Sequence, residues 1–311
     1  MDLSYNIIGT GALGGFYGGI LAHSGKQVNF LLHSDYDYVV KNGLQVDYGE
    51  KSFHIDNVNA YNDTNKMPKA DVVLVTLKTT NNHLLKSLLK PIVDKKTIVI
   101  LIQNGIYMEE RLAEAFTQMT IGGGSAFICC YKSGLGHIHH VDYGSLTLGL
   151  HNNKTLENIE LIKQVVSDFQ MTGIQCNYAD NLYFIRWKKL IWNIAYNGIS
   201  VVLNTQTNIL MENPSSRAML KDIMLEVIAA ARACGVPIKD EVAEMTLVHT
   251  DKMTPYAPSM KLDYDAKRPL EIEAIYDNTI ALAAEKGYDM KLTKMIAKEL
   301  RFLTSNFNHK V

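Results

Sequence analysis

Short apolar runs alternate with longer mixed segments along the first half of the chain. The runs fall at Tyr5 to Ile8, Gln27 to Leu32, Asp71 to Leu77, Thr97 to Ile102 and Ile174 to Asn177, with helical patterns between them. Strands alternating with helices imply βαβ units, which bury a mostly parallel sheet between helical layers. Residues 43–61 and 136–150 instead alternate apolar and polar positions with a period of two, predicting added antiparallel pieces or hairpins. From Asp180 onward the period changes. Segments 181–203, 216–234, 269–286 and 291–306 read as long helices with almost no strand signal. The pattern predicts an α/β domain over residues 1–178 followed by an all-helical domain over residues 179–311.

Composition narrows the class. The 311 residues carry 31 Lys and Arg against 32 Asp and Glu, a net charge of −1, and 47% are hydrophobic. Such a chain is globular and long enough for two domains, which excludes disorder, collagen and coiled coil. Without a basic field, neither nucleic acid nor a membrane surface is an expected partner, and a small ligand is. Four cysteines, two of them adjacent as Cys129 and Cys130, make neither a disulfide framework nor a paired metal motif, so reduced thiols are expected. His137, His139 and His140 come with no acidic or cysteine ligand at zinc spacing, and no metal is expected. No apolar run approaches the ~18 residues of a membrane span, and no leader pattern precedes Gly9, so the expected location is cytoplasmic. No Gly-x-Ser-x-Gly supports hydrolase chemistry. Apolar surface on the C-terminal helices would allow a homodimer.

The strongest local signal is Gly9-Thr10-Gly11-Ala12-Leu13-Gly14, which follows an apolar strand and opens a helical pattern from Ala12 to Ser24. Such a turn lets backbone amides approach a pyrophosphate, to which the helix N-terminus adds positive partial charge. The end of the second strand selects the dinucleotide, because a carboxylate there binds the ribose of NAD and a cation the 2′-phosphate of NADP. His33 is neither. It can hydrogen-bond a phosphate or stand as a solvated loop residue, with Asp35 and Asp37 near enough to repel one. Lys78 and Asn104 end the third and fourth strands, on the side where open parallel sheets bind ligands. The lysine can reach a phosphate or ribose; the asparagine, before Gly105, is also a turn former.

In the second half, Lys189, Asn193 and Asn197 recur every four residues within a segment whose other positions are largely apolar. On a helix they form one polar ridge, and buried amides without partners cost about 1–3 kcal/mol each. The ridge needs a polar counterpart, which a substrate, solvent or the other domain could supply. Pro269 suits the first position of a helix and Glu271 its first turn, where the helix dipole favours a carboxylate without any catalytic task.

The ordered set resembles the ketopantoate reductase (2-dehydropantoate 2-reductase) family essentially end to end. The matching residues are Gly9 to Gly14, Val75-Thr76-Leu77-Lys78, Gln103-Asn104-Gly105, Trp187-Lys188-Lys189-Leu190 with Asn193 and Asn197, and Ser259-Met260-Lys261 twelve residues before Glu271. The resemblance implies a Rossmann-type dinucleotide-binding domain joined to a helical domain, with the active site in the cleft. It also implies NADPH-dependent reduction of ketopantoate to (R)-pantoate, on the way to pantothenate and coenzyme A. By the same resemblance Lys189 is the general acid, Asn193, Asn197 and Ser259 bind the substrate, and Asn104 sits by nicotinamide and carbonyl. Glu271 serves the cofactor ribose or orients the lysine, and Lys78 touches the cofactor. Three positions depart from the family: His33 stands where an arginine is common, Cys130 where an alanine's backbone contacts the cofactor, and Asn208 is the match for a third substrate asparagine in a segment one residue longer. Two other readings stay open at this stage: a relative acting on another 2-keto or 3-hydroxy acid, and a dinucleotide-sensing regulator without turnover.

Overall fold

The computed structural model describes residues 2–307. Ten strands are named: β1 (Ser4–Ile8), β2 (Gln27–Leu31), β3 (Leu44–Asp47), β4 (Phe53–Ile55), β5 (Asn59–Tyr61), β6 (Val72–Val75), β7 (Ile98–Leu101), β8 (Thr120–Gly134), β9 (His137–Leu150) and β10 (Cys176–Tyr178). Among the described residues they form one sheet in the order β4-β3-β9-β8-β7-β6-β1-β2-β5, with β10 paired to β9. The block β8-β7-β6-β1-β2-β5 is parallel throughout. Its strands are joined through α1 (Ala12–His23), α2 (Tyr36–Asn42), α3 (Leu85–Leu89) and α4 (Met108–Ala115), and α5 (Leu156–Met171) connects β9 to β10. β6 and β7 read Val-Val-Leu-Val and Ile-Val-Ile-Leu and are buried at every position, as strands covered on both faces must be.

This block runs outward from β1 in both directions, so the order in which strands are added reverses between β1 and β6 while all of them stay parallel. That is the switch point at which open α/β sheets bind ligands, beyond the carboxyl ends of the strands. The pieces expected over residues 43–61 are present as β3, β4 and β5, but only β3 and β4 pair antiparallel; β5 joins β2 in parallel, and β3 runs parallel to β9. Residues 136–150 pair antiparallel, but with a partner the sequence pattern does not show: β8, which continues for 15 residues. Near its start β8 carries Gly122, Gly123 and Gly124, residues of low strand propensity. The sheet nevertheless requires them, because a Cβ on Gly122 or Gly124 would lie 2.9 Å from Gly149 O or 2.8 Å from Leu148 Cδ2.

The helical half comprises α6 (Leu182–Trp192), α7 (Gly198–Val202), α8 (Thr207–Glu212), α9 (Pro214–Ala233), α10 (Glu241–Asp251), α11 (Ser259–Asp265), α12 (Asn278–Glu285) and α13 (Lys291–Thr304). The segment 181–203, predicted as one helix, contains a π-helical turn at Asn193–Asn197 between α6 and α7. A second π-turn at Glu273–Asp277 precedes α12. Pro269 and Glu271 lie ahead of this second helix, correcting the expectation that they occupy its first turn. α9 starts as its sequence dictates: Pro214 takes the first position and Asn213 Oδ1 accepts from the Ser215 and Ser216 amides at 2.9 and 3.2 Å. Around α9 packs a core that includes Trp187, Tyr196, Tyr276 and Ile228, each fully buried.

The chain divides into two compact units. One runs up to Gln103 and resumes over Met108–Leu182; the other joins Asn104–Tyr107 to the chain from Tyr183 onward. Asn104 therefore belongs structurally with the helices, although it follows a sheet strand in sequence.

Candidate functional site

In the sheet unit, β1 ends at Ile8 and the glycine turn follows directly. Gly9 has φ +100°, and a Cβ there would lie 2.6 Å from the Leu77 amide. A Cβ on Gly14 would collide with Gly9 O and lie 2.5 Å from Thr76 Oγ1. Thr76 Oγ1 itself donates to Gly9 O at 2.7 Å, lacing the turn to the end of β6. Gly9 and Gly14 are thus demanded by the protein's own packing. Gly11 is not: a Cβ there would meet nothing within 4 Å. Its side faces open space at the start of α1, where no acidic residue occupies the first turn and no side chain among the described residues caps the helix. The positive helix end and an open glycine make a cradle that fits a pyrophosphate.

Thr10 donates from both its amide and Oγ1 to Leu31 O, at 3.3 and 2.8 Å, pinning the end of β2 beside the cradle. His33 and Ser34 follow, both exposed. Exposed Lys78 lies beyond β6, and its charge acts on the Cys130 thiol of β8. Burial pushes that thiol up to about 12, so it is neutral near pH 7. The structure therefore places Gly9 to Gly14, His33, Lys78 and Cys130 around the carboxyl ends of β1, β2, β6 and within β8.

In the helical unit, Lys189 is partly buried in the last turn of α6. Desolvation lowers its ammonium from the ordinary 10.5 to about 7; the neighbouring Arg186 charge adds to the drop and Glu271 opposes it. Arg186 is 3% exposed and Glu271 5%. Arg186 was not singled out from the sequence, although its i, i+3 spacing from Lys189 is visible there. Asn193 and Asn197 open and close the first π-turn, 4% and 1% exposed. A π-turn lets a helix carry its side chains at a wider step and is frequent at functional sites. Asn193 Nδ2, Asn197 Oδ1 and Asn208 Oδ1 are buried atoms with no hydrogen-bond partner among the described residues. Three asparagines predicted to bind substrate thus each keep an amide atom unsatisfied inside the protein. A bound polar ligand would offset that cost.

Asn208 stands on α8, which is tied to the π-turn where Tyr196 Oη donates to Met211 Sδ at 2.9 Å. Ser259, partly buried, begins α11, which packs against the same π-turn and α7. Asn104 is held through its neighbours: Ile106 N donates to Ala274 O at 3.1 Å, and Asn278 Nδ2 donates to Ile106 O at 2.8 Å. Gly105, at φ +101°, lies so close to Ala274 that any Cβ would strike its carbonyl. The two π-turns interlock, because Tyr276 Oη of the second donates to Ile194 O of the first at 3.0 Å. Neither Asn278 nor Tyr276 is legible as functional from sequence, where both look like ordinary helix residues.

Two histidines of β9 meet a carboxylate from a neighbouring strand. Asp47 of β3 lies 2.6 Å from His137 Nε2 and 3.5 Å from His139 Nδ1. His140 stacks on Phe16 instead. Among the described residues no group of three or more His, Cys, Asp or Glu could hold a metal ion, and no helix is long and apolar enough to cross a membrane.

Two family models match the chain, "Ketopantoate reductase PanE/ApbA" over residues 5–153 and its C-terminal counterpart over residues 181–304. A 2-dehydropantoate 2-reductase of Nostoc sp. is 47% identical over 304 residues, covering 97% of this chain and 95% of that protein. The chain belongs to the ketopantoate reductase family. Solved structures agree with the assignment. The 2-dehydropantoate 2-reductase of Geobacter metallireducens superposes with a TM-score of 0.92 at 37% identity, over 96% of this chain and 99% of that one. The enzyme of Methylococcus capsulatus gives 0.90 at 28% identity over 99% of each chain. This ketopantoate reductase family member accordingly joins a Rossmann-type domain to a helical domain and is an oxidoreductase that uses a dinucleotide.

Proposed function

We propose that this chain catalyses the NADPH-dependent reduction of ketopantoate (2-dehydropantoate) to (R)-pantoate, a step towards pantothenate and coenzyme A. The observation that carries the reading is the conjunction, within the helical unit, of a lysine lowered to about 7 with asparagines whose buried amide atoms lack partners. When bound, NADPH supplies the hydride for the ketone carbon. Lys189 donates the proton to the carbonyl oxygen. A pKa of about 7 suits this task, because the ammonium is populated near neutrality yet releases its proton readily. Before transfer its charge stabilises the developing alkoxide. Glu271 sustains that ammonium and serves the cofactor ribose or orients the lysine.

Asn193, Asn197 and Asn208 bind the substrate, and Ser259 its carboxylate. A keto acid that also carries a hydroxyl offers both acceptors and a donor, which suits amides able to present either N–H or oxygen. Gly9, Thr10, Gly11, Ala12, Leu13 and Gly14 hold the pyrophosphate, Lys78 and the Cys130 backbone contact the cofactor, His33 faces the 2′-phosphate, and Asn104 sits by the nicotinamide. The reading takes the enzyme to be a cytoplasmic homodimer, with exposed Ile209 and Met245 as candidate apolar contacts.

A panel of 2-keto acids tested with NADPH and NADH decides the substrate. Ketopantoate with NADPH should give the highest kcat/KM. A higher value with another 2-keto acid would transfer the function to that substrate, and cofactor binding with no turnover of any acid would make the chain a sensor.

A further inference from the structure

The loop after β2 carries a carboxylate that a preference for NADPH has to accommodate. Asp35 follows Leu31, the last residue of β2, by four positions, in the region where an acidic side chain binds the ribose hydroxyl of NAD and repels a 2′-phosphate. Its neighbours His33, Ser34 and Asp37 are exposed, whereas Asp35 is only 3% exposed. Both carboxylate oxygens are engaged. Lys132 Nζ donates to Oδ1 at 2.5 Å, Ser34 Oγ donates to Oδ1 at 3.1 Å, and the Gly136 amide donates to Oδ2 at 3.0 Å. Lys132 lies near the end of β8 and Gly136 in the turn to β9, and Gly136 O in turn accepts from the Gln45 amide of β3 at 2.8 Å. The carboxylate is therefore drawn toward the β8–β9 hairpin, while Thr10 keeps the end of β2 beside the pyrophosphate cradle.

We propose that Lys132 is a positioning residue that sets cofactor specificity: by holding Asp35 against the hairpin it neutralises the loop's buried carboxylate, so that exposed His33 can receive a 2′-phosphate. The inference rests on the dinucleotide reading above. Its physical basis is a charge count. Paired, Lys132 and Asp35 sum to zero at the cofactor's adenosine end; without the lysine, a full negative charge remains in a partly buried site where screening is weak. A doubly charged phosphate feels that charge and an uncharged ribose hydroxyl does not, so the effect must distinguish NADPH from NADH.

The test measures dissociation constants for NADPH and NADH by titration calorimetry, without substrate, in the wild type, Lys132→Met, Asp35→Asn and the double variant. The wild type should prefer NADPH. Lys132→Met should weaken NADPH by roughly tenfold or more while moving NADH by no more than about twofold. The double variant should recover most of the NADPH affinity, and Asp35→Asn alone, which leaves Lys132 unpaired, should strengthen NADPH without weakening NADH. Should Lys132→Met fail to fold, Lys132→Gln, which keeps a donor and loses the charge, carries the same expectation. Equal losses of both cofactors, or a loss that Asp35→Asn does not rescue, would reduce the pair to a structural contact. A selective loss of NADH in Asp35→Asn would make Asp35 the ribose ligand and overturn the proposal. A wild type that binds neither cofactor would remove the dinucleotide reading itself, a result distinct from either.

Discussion

Replacing Glu271 by glutamine removes the negative charge that sustains the Lys189 ammonium while keeping the side chain's size and hydrogen-bonding capacity. Lys189 sits at about 7 because desolvation and Arg186 lower it against the opposing pull of Glu271. A nearby opposite charge typically moves a titration by about 1–3 units, so its removal should take Lys189 down to roughly 5.5. In the proposed mechanism reduction uses the protonated lysine, so the rate should be full below that pKa and fall as pH rises through it. At pH 7.5 about a quarter of the wild-type lysine is protonated, against about 1% in Glu271→Gln, a deficit of ~20-fold; at pH 5.5 the deficit shrinks to ~2-fold. Arg186→Gln should act with the opposite sign, carrying the descending limb toward pH 8. The assay is kcat/KM for ketopantoate from the initial rate of NADPH oxidation, measured between pH 5 and 9. A Glu271→Gln deficit that is uniform across pH would refute the electrostatic role and leave Glu271 as a ligand of the ribose alone. A wild-type rate with no fall between pH 6 and 8 would refute the assignment of Lys189 as the titrating acid.

Five further substitutions test other parts of the site. Gly11→Ala should leave the melting temperature unchanged and raise the NADPH dissociation constant by about tenfold, because its methyl enters open space in front of α1; Gly14→Ala should instead lower the melting temperature, since its methyl collides with Gly9 O. Asn193→Ala and Asn197→Ala should each raise KM for ketopantoate by roughly 5- to 100-fold, at about 1–3 kcal/mol per buried hydrogen bond, with NADPH affinity measured alone unchanged. Tyr276→Phe deletes the donor to Ile194 O, which should cost about 1–2 kcal/mol in chemical denaturation and raise KM for the keto acid, because the π-turn bearing Asn193 and Asn197 loses its brace.

Much of this arrangement is local in sequence and was legible there. The glycine turn announces itself because strand, glycines and helix are contiguous, and the ridge of Lys189, Asn193 and Asn197 is visible because four-residue spacing survives on a helix. Features that depend on distant segments were not. The three glycines near the start of β8 hide a long strand, and the demand for small residues at Gly122 and Gly124 comes from β9. The π-turns leave no periodic signature over five residues, and one is completed by Tyr276, 82 positions away from Ile194. Asp35 reads in sequence as a repeller of phosphate; only the fold brings Lys132 from 97 positions away to cover it. Likewise, Asn104 follows a strand but is bonded, through Ile106, to helices that begin far downstream.

The proposed reaction depends on Lys189 donating the proton to a keto acid reduced on this scaffold. Its most direct test sets Lys189→Ala beside the wild type in one experiment, recording ketopantoate-dependent NADPH oxidation and, separately, NADPH binding without substrate. Turnover should fall by about a thousandfold or more while the NADPH dissociation constant stays within about twofold. Undiminished turnover in Lys189→Ala would contradict it.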